Sequence, residues 1–584
     1  MAEIAVGKTA DARMDRAVLR FTNLWRRYAW TGFLLLILIA LIAYPMAMLV
    51  LGALTTTNPA LEGISSVLTL QNFQDVLNNP IIRTAAVNSL VSCGLGTFFA
   101  VIIGVGLSWI VARTDTPLRG WVETASIMPL FMPPLVAAVA WSYVGSPTTG
   151  LINTFFKEFG WEFRLNLYSM TGMVAVFAMY YAPYVYMFVS AALKNMDPAL
   201  EEAAQMSGAG PVRTMLTITL PLVAPAILSG SLLAFVVMFG IYGIPAALGT
   251  PARIDVLTTY LFKLTSWTPP LFNAAAAVAI VMVIVTSICV VLQHWALSGR
   301  SFVTVTGKSF KPRTLKLGPW RWVTFGLACL YALVAVVVPC IGLLVAAFRK
   351  FLFVPNLKSL FDPNQYSFGH FDRLFESALV WRSFWNTLEV GIVSAVIGGF
   401  LAFAISYTVH RTNLPGRRTL DLMGTLPVAV PGLVIGVAYL WAWIAFSGVL
   451  WGTTLIIALA LVARFLPDTL KVLGGSLMQI HRELEEASKI CGTGTLQTIL
   501  RIIVPLTVPG LISAMSLLFI LSIRELGSSL FLFTNNTIVM PVLLLDFHEG
   551  GDTGATAAFS VFQVMLLLVI VGGANLLGRM TTVR

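Results

Sequence analysis

The chain has 584 residues, of which 58% are hydrophobic and only 11% are charged, and its mean hydropathy is +0.85. Apolar runs of about 20 residues, enough to cross a hydrocarbon core of about 30 Å, recur along its length. Runs such as TGFLLLILIALIAYPMAMLVLGAL are apolar on every face, which excludes the alternating pattern of a transmembrane β-barrel. The sequence therefore predicts an all-α polytopic membrane protein.

Twelve membrane spans are predicted in chain order. They cover residues 30–52, 84–112, 123–145, 168–194, 218–247, 271–294, 321–346, 383–409, 421–446, 452–478, 502–523 and 557–578. An even number of spans places both termini on one side of the membrane.

Basic residues mark the cytoplasmic side. The tail 1–28 has six Lys or Arg residues before the first span, and the linker 297–320 has Lys and Arg without an acidic residue. The positive-inside rule puts both segments, and with them both termini, in the cytoplasm. The net charge of +11 is then explained by short loops that face anionic lipid, and no nucleic acid partner is expected.

The two halves of the chain repeat each other in sequence. Asn88, Arg113, Thr114, Pro117, Pro129 and Pro133 match Asn386, Arg411, Thr412, Pro415, Pro427 and Pro431 at a constant offset of 298 residues. Beyond them the offset is 284, and Pro183, Glu202, Gly208, Pro221, Pro225 and Gly243 match Pro467, Glu486, Gly492, Pro505, Pro509 and Gly527. We therefore predict two parallel six-helix repeats, 29–296 and 321–584, related by an axis along the membrane normal.

Each half contains one polar, glycine-broken segment between its fourth and fifth spans. These polar segments, residues 197–217 and 481–501, lie on the cytoplasmic side in the predicted topology. In the first, Asp197 is suited to cap a helix over 199–206, Gly208 and Gly210 interrupt the helix, and Pro211 opens another. A solvated connecting loop is the simpler reading of one such segment, but two copies at matched spacing favour a docking site for another protein.

In these segments the sequence resembles the permease subunits of binding-protein-dependent ABC importers. Their cytoplasmic loop reads E-A-A, three residues, G, nine residues, I, one residue, L-P, and the first copy meets it with Glu202, Ala203, Ala204, Gly208, Ile218, Leu220 and Pro221. The second copy meets it with Glu486, Ala487, Gly492, Ile502 and Pro505, while Ser488 replaces the second Ala and Val504 replaces Leu.

The resemblance implies a MetI-like fold and a bacterial inner-membrane subunit that is not an enzyme. It implies that the polar segments seat in two copies of a cytoplasmic ATPase, that ATP and Mg²⁺ are bound by that ATPase, and that an extracytoplasmic solute-binding protein delivers the solute. The only phosphate-loop-like stretch, FVTVTGKS at 302–309, has Phe302 where the first glycine is required. The branch resembled most is the ferric-ion importers, whose relatives carry 2-aminoethylphosphonate, thiamine or polyamines.

Charged residues within predicted spans are candidates for the translocation pathway. Arg464, Arg524 and Glu525 are the candidates, because a charge near the membrane centre costs about 2.5–3.5 kcal/mol. The alternative is that they hold helices together or lie outside the hydrocarbon. Adjacent helical side chains diverge by about 100°, so at most one of Arg524 and Glu525 is expected to face a cavity.

Two further readings concern metal sites and the class of transporter. The glycine-rich stretch 546–554 is expected to be a flexible outer loop that contacts a docked binding protein, in preference to a metal relay. The five cysteines have no metal-ligand or redox spacing, and no metal site is predicted.

The competing functional class is a twelve-span secondary transporter driven by an ion gradient, which would need titratable groups in both halves and leaves the matched polar segments unexplained.

Overall fold

The computed structural model describes residues 28–57, 67–197, 199–297, 315–444 and 450–582. The basic tail, most of the basic linker and the phosphate-loop-like stretch at 302–309 lie outside these residues. The domain boundaries drawn at 28/29, 296/297 and 320/321 remain predictions from the sequence.

The described residues of the first half are mostly helical. Its helices are Tyr28–Leu54, Gln71–Asn78, Pro80–Arg113, Arg119–Ile127, Pro134–Gly145, Leu151–Glu158, Met170–Asn195, Ala199–Met206, Pro211–Thr214, Leu220–Gly240, Leu257–Ser266 and Phe272–Leu297. The start of Pro80–Arg113 follows the capping rules: the Asn79 side chain accepts a hydrogen bond from the Ile81 N–H at 2.9 Å, and Pro80 occupies the first helical position.

The second half repeats this order. Its helices are Trp320–Phe348, Gly369–Glu376, Ala378–Arg411, Arg417–Thr425, Gly432–Trp443, Thr454–Met478, Glu483–Ile490, Thr495–Thr498, Val504–Arg524, Met540–Glu549 and Thr553–Thr582. A π-helical turn precedes the proline of the fifth span in both halves, at Met215–Thr219 and Ile499–Ile503. The all-α fold with two like halves is confirmed.

Each of the twelve predicted spans corresponds to a described helix or bent helix pair, and three of them depart from a continuous apolar helix. Within the described residues, nine helices are long and apolar enough to cross a membrane, or eleven if each of two bent helix pairs is one span. The remaining predicted span, Thr454–Met478, has 25 residues and is long enough, but carries Arg464, Asp468 and Lys471.

The third predicted span of each half is a broken helix. Arg119–Phe131 meets Pro134–Gly145 at 98°, and Arg417–Ala429 meets Gly432–Trp443 at 113°. Pro133 and Pro431 lie at the breaks in extended conformation, where a proline cannot supply the helical N–H and restricts the residue before it. The repeated prolines of the sequence therefore mark sharp bends.

The first helix of each half reaches across to the other half. Tyr44–Leu54 packs between Phe272–Leu297 of its own half and Gly432–Trp443 of the second. Val338–Phe348 correspondingly packs between Thr553–Thr582 and Pro134–Gly145. The Tyr439 hydroxyl donates to the Leu41 carbonyl at 2.7 Å across this contact. The first helix of each half thus bridges the two repeats.

The two long helices, Pro80–Arg113 and Ala378–Arg411, pack along Met170–Asn195 and Thr454–Met478. Small residues allow the close approach. A Cβ at Gly104 would lie 2.7 Å from the Ala182 carbonyl oxygen and 2.8 Å from Val185 Cβ. Gly106, two residues on, has no such neighbour within 4 Å.

We therefore expect Gly104→Ala to destabilise the bundle by about 1–3 kcal/mol, because the added methyl overpacks the helix contact. Gly106→Ala is the matched control and should be neutral or slightly stabilising, since Ala favours helix over Gly by up to about 1 kcal/mol. Thermal unfolding of the two purified variants in detergent measures the difference. Equal melting temperatures would contradict the packing described for Gly104.

Candidate functional site

Both polar segments form the same helix, glycine and helix unit. The helices Ala199–Met206 and Glu483–Ile490 end in Gly208 (φ +81°) and Gly492 (φ +79°), in the left-handed region that side chains with a Cβ disfavour. The Ala209 N–H donates to the Ala204 carbonyl at 3.0 Å, and the Thr493 N–H to the Ser488 carbonyl at 3.1 Å. This bond pattern with glycine is the Schellman helix end, which explains the spacing from the Ala pair to Gly.

The start of the first segment also agrees with the sequence. The Asp197 side chain accepts a hydrogen bond from the Ala199 N–H at 2.9 Å, as predicted for a helix cap. A second short helix begins at Pro211, as predicted. Both predictions of local structure in this segment are confirmed.

A buried ion pair ties each polar segment to the end of a long helix. Arg113 Nε lies 3.5 Å from Glu201 Oε1, with side chains 1% and 12% exposed. Arg411 Nε lies 2.8 Å from Glu485 Oε1, with side chains 4% and 12% exposed. The same pair therefore recurs in both halves, and it joins the segment to the membrane bundle.

The sequence reasoning missed these two glutamates. It selected the next residue in each copy, Glu202 and Glu486, which are half-buried and exposed respectively. The signal was present, because both copies read Glu-Glu and because Arg113 and Arg411 are matched in the repeat. Sequence alone does not show that an arginine about 80 residues upstream meets the first glutamate of each pair.

The other predicted coupling residues differ in exposure. Ala203 and Ala487 are exposed, as are Pro221 and Pro505, and Ala204 is half-buried. Ser488, which replaces the second Ala of the motif, is buried and lies 2.8 Å from the Thr498 hydroxyl. The serine is thus accommodated inside its segment by a hydrogen bond between the two short helices.

Each polar segment also exposes large apolar side chains at matched positions. Met206 and Ile490 are 91% and 86% exposed, and Leu200 and Leu484 are 50% and 44% exposed. Exposed apolar groups grouped on one feature are typical of contact surfaces. These exposed apolar residues recur at equivalent positions of both segments.

The breaks in the two broken helices are held by side chains from elsewhere in the bundle. Arg524 donates to the Leu130 carbonyl and Arg464 to the Val430 carbonyl. The Tyr180 hydroxyl donates to the Met132 carbonyl, and the Thr286 hydroxyl to Ala429. Non-helical backbone at membrane depth is tolerated only with such internal partners.

A central cavity of ≈ 190 Å³ lies between the two halves, beside both breaks. The first half contributes Pro133, Tyr181, Tyr184 and Gly240, among others, to its wall. All three residues predicted for the pathway, Arg464, Arg524 and Glu525, line it from the second half. Asp468 and Lys471, which the sequence reasoning did not select, line it as well.

The expectation that at most one of Arg524 and Glu525 faces the cavity is wrong. The helix Val504–Arg524 ends at Arg524, and Glu525 is extended, with φ −78° and ψ 120°. The divergence of about 100° applies only within a helix. Both side chains therefore border the cavity. Arg524 and Arg464 also donate to backbone carbonyl groups at the breaks, so these two residues line the cavity and hold helices together at the same time.

The stretch 546–554 is not the flexible loop expected from its glycines. The helix Met540–Glu549 continues through Asp546, His548 and Glu549, and a turn follows it. His548 is half-buried, and burial lowers its pKa. Removal from water raises the pKa of Glu549, which a 3.3 Å hydrogen bond from the Tyr242 hydroxyl partly offsets. Among the described residues, no three His, Cys, Asp or Glu side chains are grouped to hold a metal ion.

Comparison with known proteins gives one family and several relatives. The family model described as "Binding-protein-dependent transport system inner membrane component" matches residues 96–301 and 394–580, once in each half. The ferric transport system permease protein FbpB of Actinobacillus pleuropneumoniae is 26% identical over 501 residues, which is 83% of this chain and 69% of that protein. The putative ferric transport system permease protein FbpB 1 of Haemophilus influenzae is 26% identical over 482 residues, 80% of this chain and 73% of that protein.

A solved structure gives a partial match. A bacterial ABC transporter involved in import of the acidic polysaccharide alginate matches with a TM-score of 0.41 and 20% identity. The match covers 49% of this chain and 100% of that one.

The buried ion pairs predict different effects for adjacent glutamates. Glu485→Gln should lower the stability of the chain by about 1–3 kcal/mol, because it leaves the buried Arg411 charge without its partner. Glu486→Gln makes the same charge change at an exposed position on the same helix and should leave the melting temperature unchanged. Thermal unfolding in detergent compares them, and equal losses in both variants would show that the pair does not stabilise the fold.

Proposed function

Because the chain belongs to the family of inner membrane components of binding-protein-dependent transport systems, we propose that it is the fused permease subunit of an ATP-driven importer. The two halves, which in this proposal enclose the translocation pathway, meet at the central cavity. The competing assignment, a secondary transporter driven by an ion gradient, is set aside by the family match on both halves.

Coupling to two copies of a cytoplasmic ATPase takes place at the polar segments. The observation that carries this proposal is their duplication: each has a helix closed by glycine, exposed apolar residues at matched positions, and a buried ion pair to a long helix. The apolar residues suit a protein groove, and the ion pair suits transmission of its movement to the bundle.

The chain itself does not hydrolyse ATP in this proposal. ATP and Mg²⁺ are bound by the partner ATPase, and this subunit binds no cofactor. An extracytoplasmic solute-binding protein delivers the solute to the opposite face. ATP binding draws the ATPase subunits together, the polar segments move with them, and the two halves rock so that the central cavity opens outward. Hydrolysis reverses the movement and admits the solute to the cytoplasm.

The solute we propose is ferric iron. Two similar proteins are named as ferric transport permeases, and each match extends over at least 80% of this chain. The same branch resemblance leaves 2-aminoethylphosphonate, thiamine and polyamines as alternative solutes, and an uptake assay with each distinguishes them.

Replacing the exposed apolar tips tests the coupling. Met206→Asp together with Ile490→Asp should abolish copurification of the ATPase and uptake of radioactive iron in membrane vesicles, because a charge is placed where a desolvated contact is required. Both side chains are almost fully exposed, so the chain should stay folded.

Phe361→Asp provides the matched control. Phe361 is 84% exposed and lies outside the polar segments, so its replacement should retain the ATPase. ATPase binding that survives the double change would exclude the polar segments as the docking site. Retained binding with no iron uptake by the unaltered complex would instead exclude iron as the solute.

The orientation of the chain is tested by reporter fusions. Fusions after Arg300 and at the C-terminus should report the cytoplasm, and a fusion near Phe156 should report the outside, because basic segments stay on the cytoplasmic side. Paired cytoplasmic and extracytoplasmic reporter enzymes at each site give the measurement. An extracytoplasmic signal after Arg300 would reverse the topology.

A further inference from the structure

The charged side chains of the central cavity are unequal in sign. Its lining contains the bases Arg464, Lys471 and Arg524 and the acids Asp468 and Glu525, a formal charge of +1. All five come from the second half. The positions that match Arg464, Asp468 and Arg524 in the first half are Tyr180, Tyr184 and Gly240, none of which is charged at neutral pH.

One of the two acids is already stabilised by the protein. A Cβ at Gly432 would lie 2.3 Å from Glu525 Oε1, so this carboxylate rests against the first turn of the helix Gly432–Trp443. The N-terminus of a helix carries a partial positive charge that favours an anion. The arginines donate to neutral carbonyl groups at the breaks, and the carboxylates of Asp468 and Glu525 offset part of the positive charge, so the five groups together leave an excess of one positive charge.

The cavity wall also contains buried polar groups, most of them donors, whose hydrogen bonds are not completed within the described part of the chain. Gln563 is 2% exposed, and neither its Nε2 nor its Oε1 has a partner there. The same holds for the hydroxyl of Tyr181, which is 1% exposed, and for Nε of Arg464. Buried polar atoms are normally paired, so this set points to a ligand that accepts hydrogen bonds.

We propose that the central cavity binds its cargo through anionic oxygen atoms, held by Arg464, Tyr181 and Gln563. The identity of the metal rests on the proposed function. For that metal, binding through anionic oxygen atoms means that iron crosses as a negatively charged, oxygen-ligated complex and not as the bare trivalent cation. A bare cation would meet an excess of positive charge, which repels it. A volume of ≈ 190 Å³ restricts the cargo to a small complex.

The sign of the charge effect tests this proposal. Lys471 and Asp468 lie one helical turn apart on Thr454–Met478, and both line the cavity. The assay uses the whole complex in proteoliposomes, with a limiting amount of binding protein loaded with radioactive iron. Lys471→Gln should lower the initial rate of iron uptake at least about threefold, and Asp468→Asn should raise that rate. Lys358→Gln, an exposed position outside the cavity, should have no effect. Faster uptake with Lys471→Gln and slower uptake with Asp468→Asn would overturn the proposal.

A second measurement does not depend on iron. Inorganic phosphate, used as a small oxygen-anion probe on the purified chain in nanodiscs, should raise the melting temperature, while chloride at equal ionic strength should not. The double variant Tyr181→Phe with Gln563→Leu should weaken phosphate binding about tenfold or more, because hydrogen bonds to a charged ligand are lost.

A purely structural role gives a different result. Replacing unpaired buried polar atoms with apolar ones should leave the ligand-free double variant as stable as the original or more stable. An unchanged phosphate effect in that variant, or none in the original chain, would refute the anion site. A wild-type complex that moves no iron but shows the phosphate effect would refute the proposed solute alone.

Discussion

Backbone carbonyl groups freed where two helices break inside the bundle must find donors within the protein, and the centre of the structure is arranged around this requirement. In a bilayer core no water satisfies them, so each break needs side chains from neighbouring helices. Arg464 serves the break in its own half, and Arg524 reaches the break in the other half. The breaks, their donors and the cavity therefore form one unit, and a change in any of them alters the interface between the halves.

The same requirement explains why the two halves differ chemically although they repeat in sequence. The Met132 carbonyl in the first half is served by the neutral donor Tyr180, whereas the matched position in the second half is Arg464, which serves Val430. Charge at the cavity is thus confined to the second half, and the wall opposite consists of uncharged residues, namely tyrosine, glycine, proline and aliphatic residues. A duplicated scaffold in this way encloses an asymmetric site.

A second pair of arginines connects the polar segments to this scaffold. Arg113 and Arg411 end the two long helices, which pack along the helices that carry Tyr181 and Arg464. A buried ion pair thus connects each polar segment to a long helix, and that long helix packs along the helix that lines the cavity. The ion pair is suited to this role because breaking a buried pair is costly, so its partners move together.

The sequence by itself determined that the chain lies in a lipid bilayer, that its two halves repeat, and how the polar segments fold locally. Hydropathy, proline position and the helix-ending glycine determine these features because each acts over a few residues. The high free-energy cost of a charge in a membrane also singled out Arg464, Arg524 and Glu525, which line the central cavity. Only the tertiary structure decided that the first helices bridge the two halves, that Arg113 meets Glu201, and that Glu525 leaves the helix to face the cavity. These features depend on contacts between residues far apart in the chain, on which local periodicity and spacing carry no information.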